Sequence, residues 1–322
     1  MGSINIPLKA SLKILFGIEG EQKIWENILY KIRIPRSITA ALAGIALSIS
    51  GLQMQTLFRN PLAGPSVLGI TSGASLGIAL VILGSGSALN IYTLNKLGIG
   101  GSWLLIGAAV IGSALVFLLI VLLASRIRDN VVLLILGIMI GNITVAIVSV
   151  WQYFSQPEQV QDFILWTFGS FGGITSSQLR VFAWVIITGV ILSLLISKPL
   201  NALLLGEDYA QSMGISIRRI RLIIIALTSI LAGSITAFVG PIGFIGIAVP
   251  HLTRSLFNTS NHQVLIPNCG LLGAILMLIC DIVAKLPGSQ STLPINAITA
   301  LIGAPVVIMV ILRQRNLGKA FE

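Results

Sequence analysis

The chain has 322 residues, 55% of them hydrophobic and 9% charged, with a net charge of +10 and a mean hydropathy of +0.99. Soluble domains carry about 25% charged residues, so the composition points to a membrane protein, and unbroken apolar runs exclude the alternating strands of a barrel. The basic residues stand in short loops between those runs, which assigns them to orientation, lipid headgroups or partners rather than to nucleic acid.

Residues 1–36 read as an amphipathic segment lying on a membrane surface, and Met1–Tyr30 lacks the continuous apolar core of a cleavable signal peptide. The segment ends in KIRIPR at 31–36. Pro35 there predicts a break before the first span, with Arg33 and Arg36 on an outward turn. Nine apolar spans follow, at 37–57, 67–84, 103–123, 131–154, 181–197, 221–239, 241–257, 264–284 and 293–312. Their lengths suit a bilayer, which needs about 20 helical residues per crossing. The fold class is therefore all-α, a polytopic helix bundle forming a single transmembrane domain over 1–322.

Small residues recur every fourth position at Ala40, Gly44 and Ser48, at Gly69, Gly73 and Gly77, and at Gly137 and Gly141. Such ridges let helix backbones approach closely in lipid, within one subunit or across a dimer seam. Asn142 and Gln53 are uncharged polar residues that could line a path or join helices. Eleven basic residues fall on the side of the C-terminus and nine on the other. The IRRIR cluster at 217–221 and the RQR tail place the C-terminus in the cytoplasm. KIRIPR then lies outside, and a charged N-terminal tail outside implies a further helix upstream.

The stretch LNALLLGEDYAQSMGISIRRIR at 200–221 breaks the apolar pattern. It predicts a short helix over Glu207–Met213 stopped by Gly214, on a cytoplasmic loop that pads the surface or docks into a partner. GPIGFIGIAVPH at 240–251 carries three glycines and two prolines. That makes an uninterrupted helix poor and leaves a re-entrant broken helix or a loop with a shortened span. His251 and His262 are the only histidines, and their spacing matches no metal site. Cys269 and Cys280 lie eleven residues apart, about 16 Å along a helix, too far for a disulfide.

Asp281 is the one convincing ionisable residue within an apolar run, near the end of its span, with Lys285 one turn further on. A local pair or a proton relay both fit. No phosphate-binding loop occurs, nor any catalytic triad or paired-carboxylate arrangement. Neither ATP hydrolysis by this chain nor a resident cofactor is expected.

Six motifs fall in one order over almost the whole chain: RIPR at 33–36, SGLQMQTLFRNPLAGPSVLGITSGA at 50–74, ILWTFGS at 164–170, LLLGEDYAQSMGISIRRIRL at 203–222, GPIGFIGIAVPHLTR at 240–254 and LPINAITALIGAP at 293–305. Together they resemble the FecCD-type permease subunits of type II ABC importers, which carry iron–siderophores, haem or cobalamin across the bacterial cytoplasmic membrane. The resemblance implies a ten-helix subunit, here lacking its first helix, that pairs with a second copy around a central pathway. It implies two cytoplasmic ATPase subunits and a periplasmic or surface substrate-binding protein as partners.

By the same resemblance the 198–221 loop is the ATPase-coupling element, with Gly206, Glu207, Ala210, Met213 and Gly214 matching best. Arg33 and Arg36 match the arginines that meet glutamates of the binding protein, and Lys285 stands where a third cation is common. Asn142, Gly240, Pro241, Gly243 and Phe244 become candidates for the pathway. Gly64 departs from the acidic residue usual after NPLA, and Thr292 and Asn296 depart from ELPxG, which puts local helix-end contacts in question. The competing reading is an ion-coupled secondary transporter that uses Asp281.

Overall fold

A computed structural model of the chain describes residues 6–16, 23–84, 99–127, 129–285 and 292–319. Among them every regular element is a helix, as the unbroken apolar runs require. A short surface helix α1 (Leu8–Leu15) precedes the long α2 (Lys23–Phe58). Then come α3 (Ile70–Ile82), α4 (Ile99–Arg126), α5 (Asn130–Phe154), α6 (Pro157–Thr167) and α7 (Ser176–Leu195). The elbow α8 (Ser197–Leu205) and α9 (Glu207–Ser212) leads into α10 (Ile217–Val239), α11 (Ile245–Phe257), α12 (His262–Ala284) and α13 (Ile295–Lys319).

Six described helices are long and apolar enough to cross a membrane, namely α2, α4, α5, α7, α10 and α12. Ile70–Ile82 and the Ile295–Met309 part of α13 are shorter apolar helices. At 13 residues α11 reaches only about 20 Å, so the span expected over 241–257 is a non-helical stretch followed by a short helix. Broken geometry at 240–244 is thus observed, with the shortened helix behind it.

The expected break at Pro35 is corrected: α2 runs continuously from Lys23 to Phe58. A π-helical turn at Leu29–Arg33 lies immediately before Pro35. Its wider registry accommodates the backbone bond that proline cannot make, so Arg33 and Arg36 sit on helix rather than on a free turn. α1 is tied to this stretch by the Tyr30 hydroxyl, which donates to the Ile14 carbonyl at 2.8 Å.

From Ala46 to Phe58 α2 is buried at every position, and it packs against α12, α10, α11 and α7. The small residues make this possible. Gly44 lies against the backbone of Gly273, Gly51 against Gly246, Gly73 against Gly112 and Gly77 against Ala108. Gly137 rests on the Val67 carbonyl, and Gly141 on Gly69 and Ser72. All these approaches are within the chain, the first of the two uses open to such ridges. Gln53 joins helices: its amide donates to Ser193 Oγ at 2.8 Å and its carbonyl accepts from Thr228 Oγ1 at 3.1 Å. Buried side chains of α2, α7 and α10 are thereby paired, as burial demands.

Candidate functional site

Two polar clusters stand about 33 Å apart along the axis of α2, one at Arg36 and one at its C-terminal end. At the first, Arg36 forms a fork with Asp281 of α12. Its Nε donates to Oδ1 at 2.8 Å and its Nη2 to Oδ1 at 2.7 Å, with Nε to Oδ2 at 3.2 Å. The two side chains are 14% and 7% exposed. The expected i, i+4 pair of Asp281 with Lys285 is therefore corrected. A guanidinium presents two N–H groups in a plane that matches a carboxylate, whereas an ammonium is a point charge.

Lys285 caps the end of α12 beside this pair. Burial, then repulsion by Arg36, lowers its pKa below the usual lysine value, Asp281 pulls it back up, and Arg33 lowers it further. Arg33, Arg36 and Asp281 thus all act on Lys285, in a cluster of three cations and the Asp281 carboxylate. A recess of about 200 Å³ opens next to it, walled by Arg36, Ser170, Phe171, Thr292, Leu293 and Pro294.

The broken stretch after α10 sits behind that recess. Ser170 N–H donates to the Val239 carbonyl at 2.8 Å, and Asn296 N–H to the Phe168 carbonyl at 3.2 Å. Gly240 has φ +94°, and a Cβ there would meet the Trp166 carbonyl at 2.8 Å, so glycine is required on both counts. Gly243 N–H is taken by Asn296 Oδ1 at 3.1 Å. The departure at Asn296 therefore supplies a bond that satisfies the broken backbone. Phe244 has φ +66° and sits at the centre of a tight turn in which Ile245 N–H donates to the Gly243 carbonyl at 2.8 Å, a strained form. The Phe244 ring covers Gly303 of α13.

Gly240 is thus packed against neighbouring backbone, Gly243 meets the Asn296 side chain, Pro241 is half-buried, and Phe244 is partly open at 39%. Asn142 is the pathway candidate that lies exposed. It stands on α5 among the exposed Met139, Ile143, Val145 and Ile147. Asn142 is thus a polar amide on an otherwise apolar exposed face.

At the opposite end, α8 and α9 make the elbow. Gly206 at φ +129° and Gly214 at φ +83° turn the chain on either side of α9. The helix expected over Glu207–Met213 is observed over Glu207–Ser212. Glu207 faces inward: Oε1 accepts from Asn130 Nδ2 at 2.6 Å and from Arg221 Nη2 at 3.2 Å. Arg221 also donates to the Ile127 carbonyl at 3.0 Å, and Arg59 to the Leu203 carbonyl at 3.0 Å. Ala210 is fully buried.

Two of the five coupling candidates, Glu207 and Ala210, therefore hold the elbow to the bundle, while Met213 and Gly214 face out. Sequence reasoning missed Leu205 and Tyr209, which are 67% and 51% exposed beside Met213 at 60%. Part of the signal was present: Tyr209 and Met213 are four positions apart in the short helix expected over Glu207–Met213 and so share its outer face, whereas Leu205 lies on the other side of the turn at Gly206. Close by, His251 Nε2 lies 2.8 Å from the Pro61 carbonyl, and His262 Nε2 lies 2.8 Å from Thr56 Oγ1. Both are hydrogen-bonded histidines. No group of three metal-ligating side chains occurs among the described residues.

A profile of the FecCD transport family matches residues 1–313, and the chain belongs to that family. Among its relatives is the hemin transport system permease protein HmuU of Yersinia pestis, 37% identical over 318 residues that cover 98% of this chain and 92% of that one. Another is the vitamin B12 import system permease protein BtuC of Citrobacter koseri, 36% identical over 305 residues, or 94% of this chain and 86% of that one. A solved inward-facing metal-chelate type ABC transporter superposes with a TM-score of 0.81 at 30% identity, covering 92% of this chain and 91% of the other.

Proposed function

We propose that this chain is the permease subunit of an ATP-driven importer of a bulky chelate such as haem, cobalamin or an iron–siderophore. Membership of the FecCD transport family over residues 1–313 carries this reading. Relatives named for hemin and vitamin B12 import support the substrate class. The chain is a transport subunit of the bacterial cytoplasmic membrane, crossing it nine times in the sequence given and forming a homodimeric pathway with a second copy.

The elbow at 198–221 is the seat of a separate cytoplasmic ATPase, one on each copy, and its exposed apolar residues Leu205, Tyr209 and Met213 give that partner a contact. Two states of the bundle, open to opposite sides, are biased by nucleotide bound to the other chain. Arg33, Arg36 and Lys285 face the external side and receive an acidic substrate-binding protein. Proton coupling through Asp281 is disfavoured, because both N–H groups of the Arg36 fork already occupy its carboxylate. Co-purification tests the assembly. The tagged permease should carry its ATPase at one ATPase per permease, and substrate-loaded binding protein should stimulate hydrolysis. A permease that purifies alone from cells expressing all components would refute it.

A further inference from the structure

We propose that Asp281 is a positioning residue for docking: it holds the Arg36 guanidinium side-on, so that its remaining edge meets a carboxylate that enters the adjacent recess from a partner protein. This rests on the docking reading given above. Asp281 takes Nε and Nη2 of Arg36. The Nη1 end points toward the 168–173 loop, where a Cβ on Gly172 would stand 3.5 Å from it. Ser170 and Thr292 add polar atoms to the same recess of about 200 Å³. Given about 30 Å³ per water, that is room for one acidic side chain and a few waters, not for a folded element.

The exposure of Arg36 makes its orientation decisive. With only 14% of its side chain accessible, a partner reaches one edge of the guanidinium and cannot choose another. Arg36 and Arg33 both repel Lys285, and Asp281 is a carboxylate that attracts it. Without Asp281 the guanidinium would swing from its neighbours and lose the alignment that a two-pronged contact needs.

Two effects of Asp281 then have opposite signs. Its negative charge weakens the long-range attraction of an acidic partner, an effect that salt screens beyond about 10 Å. Its grip on Arg36 strengthens the short-range contact, and hydrogen bonds to charged groups are the larger effect. The positioning effect therefore wins.

The test is docking affinity of the importer's substrate-binding protein, purified separately as the probe, to the assembled transporter in nanodiscs. Asp281→Asn should weaken docking about tenfold or more, although it removes a negative charge. Asp281→Glu should restore most of the loss, and a merely structural fault would not be rescued this way. Arg36→Lys, which keeps the charge and lacks the fork, should weaken docking as much and carries the test where Asp281→Asn does not fold. Unchanged or tighter docking in Asp281→Asn or in Arg36→Lys overturns the proposal. The underlying docking reading fails separately, if Arg33→Glu and Lys285→Glu together leave affinity unchanged.

Discussion

Replacing Gly214 by tryptophan separates the backbone of the elbow from its outer surface. Gly214 lies at φ +83°, and a Cβ built on it meets nothing within 4 Å. Any L-residue there therefore costs about 1–2 kcal/mol for left-handed backbone and nothing for collision. Gly214→Ala and Gly214→Trp share that backbone cost, so the difference between them reports only what stands outside the elbow. Both variants should insert and retain the helical circular dichroism of the wild type, with melting midpoints lowered alike. Co-purification of the ATPase, and its stimulation by the permease, should persist in Gly214→Ala. Both should fall at least tenfold in Gly214→Trp, a difference of about 1.4 kcal/mol in contact energy. Equal ATPase binding in the two variants would refute the assignment of this surface to the partner. Equal loss in both would show that the turn itself, and not its exterior, governs coupling.

Gly51→Ala should lower the melting midpoint, because its Cβ would enter the Gly246 carbonyl. Overpacking costs about 1–3 kcal/mol, more than the roughly 0.8–1.0 kcal/mol gained in helix propensity. Gly107→Ala on α4 has nothing within 4 Å of the new Cβ, so the same exchange should raise the midpoint there; a rise at both sites would contradict the packing of α2 on α11. Lys285 has a lower pKa folded than its ordinary 10.5, so the unfolded chain holds its proton more firmly. Its charge therefore reduces stability at neutral pH, and the loss is relieved as pH rises through the folded pKa towards 10.5. Lys285→Gln should melt above wild type at pH 7, with the gap closing on titration to alkaline pH. A gap that widens instead would reverse the sign of the argument.

Much of the bundle follows from patterns a reader of the sequence can follow. The apolar runs mark the helices, and the four-residue ridges of small side chains mark close contacts such as Gly44 on Gly273. The GED start and the glycine stop define α9 to within one residue at its end. The glycines and Pro241 of GPIGF likewise announce a broken helix. What stayed hidden depends on residues far apart in the chain. Arg36 and Asp281 are separated by 245 positions, while the local rule offers Asp281 a lysine one turn away. Guanidinium geometry and helix packing together select the distant partner. Pro35 signals a break, yet one π-helical turn before it keeps α2 continuous. Glu207 and Ala210 share a motif with Met213 and Gly214. Only the packing of α9 against Arg221 and Asn130 separates those that hold the elbow from those that face outward.

In the proposed function, ATP hydrolysed on another chain drives transport through this one. The direct measurement is uptake of labelled chelate into proteoliposomes that contain the permease, its ATPase and the binding protein, with ATP or a proton gradient as the only energy source. Uptake should require ATP and all three components and be indifferent to the gradient. Gradient-driven uptake by the permease alone, abolished by Asp281→Asn, would contradict it.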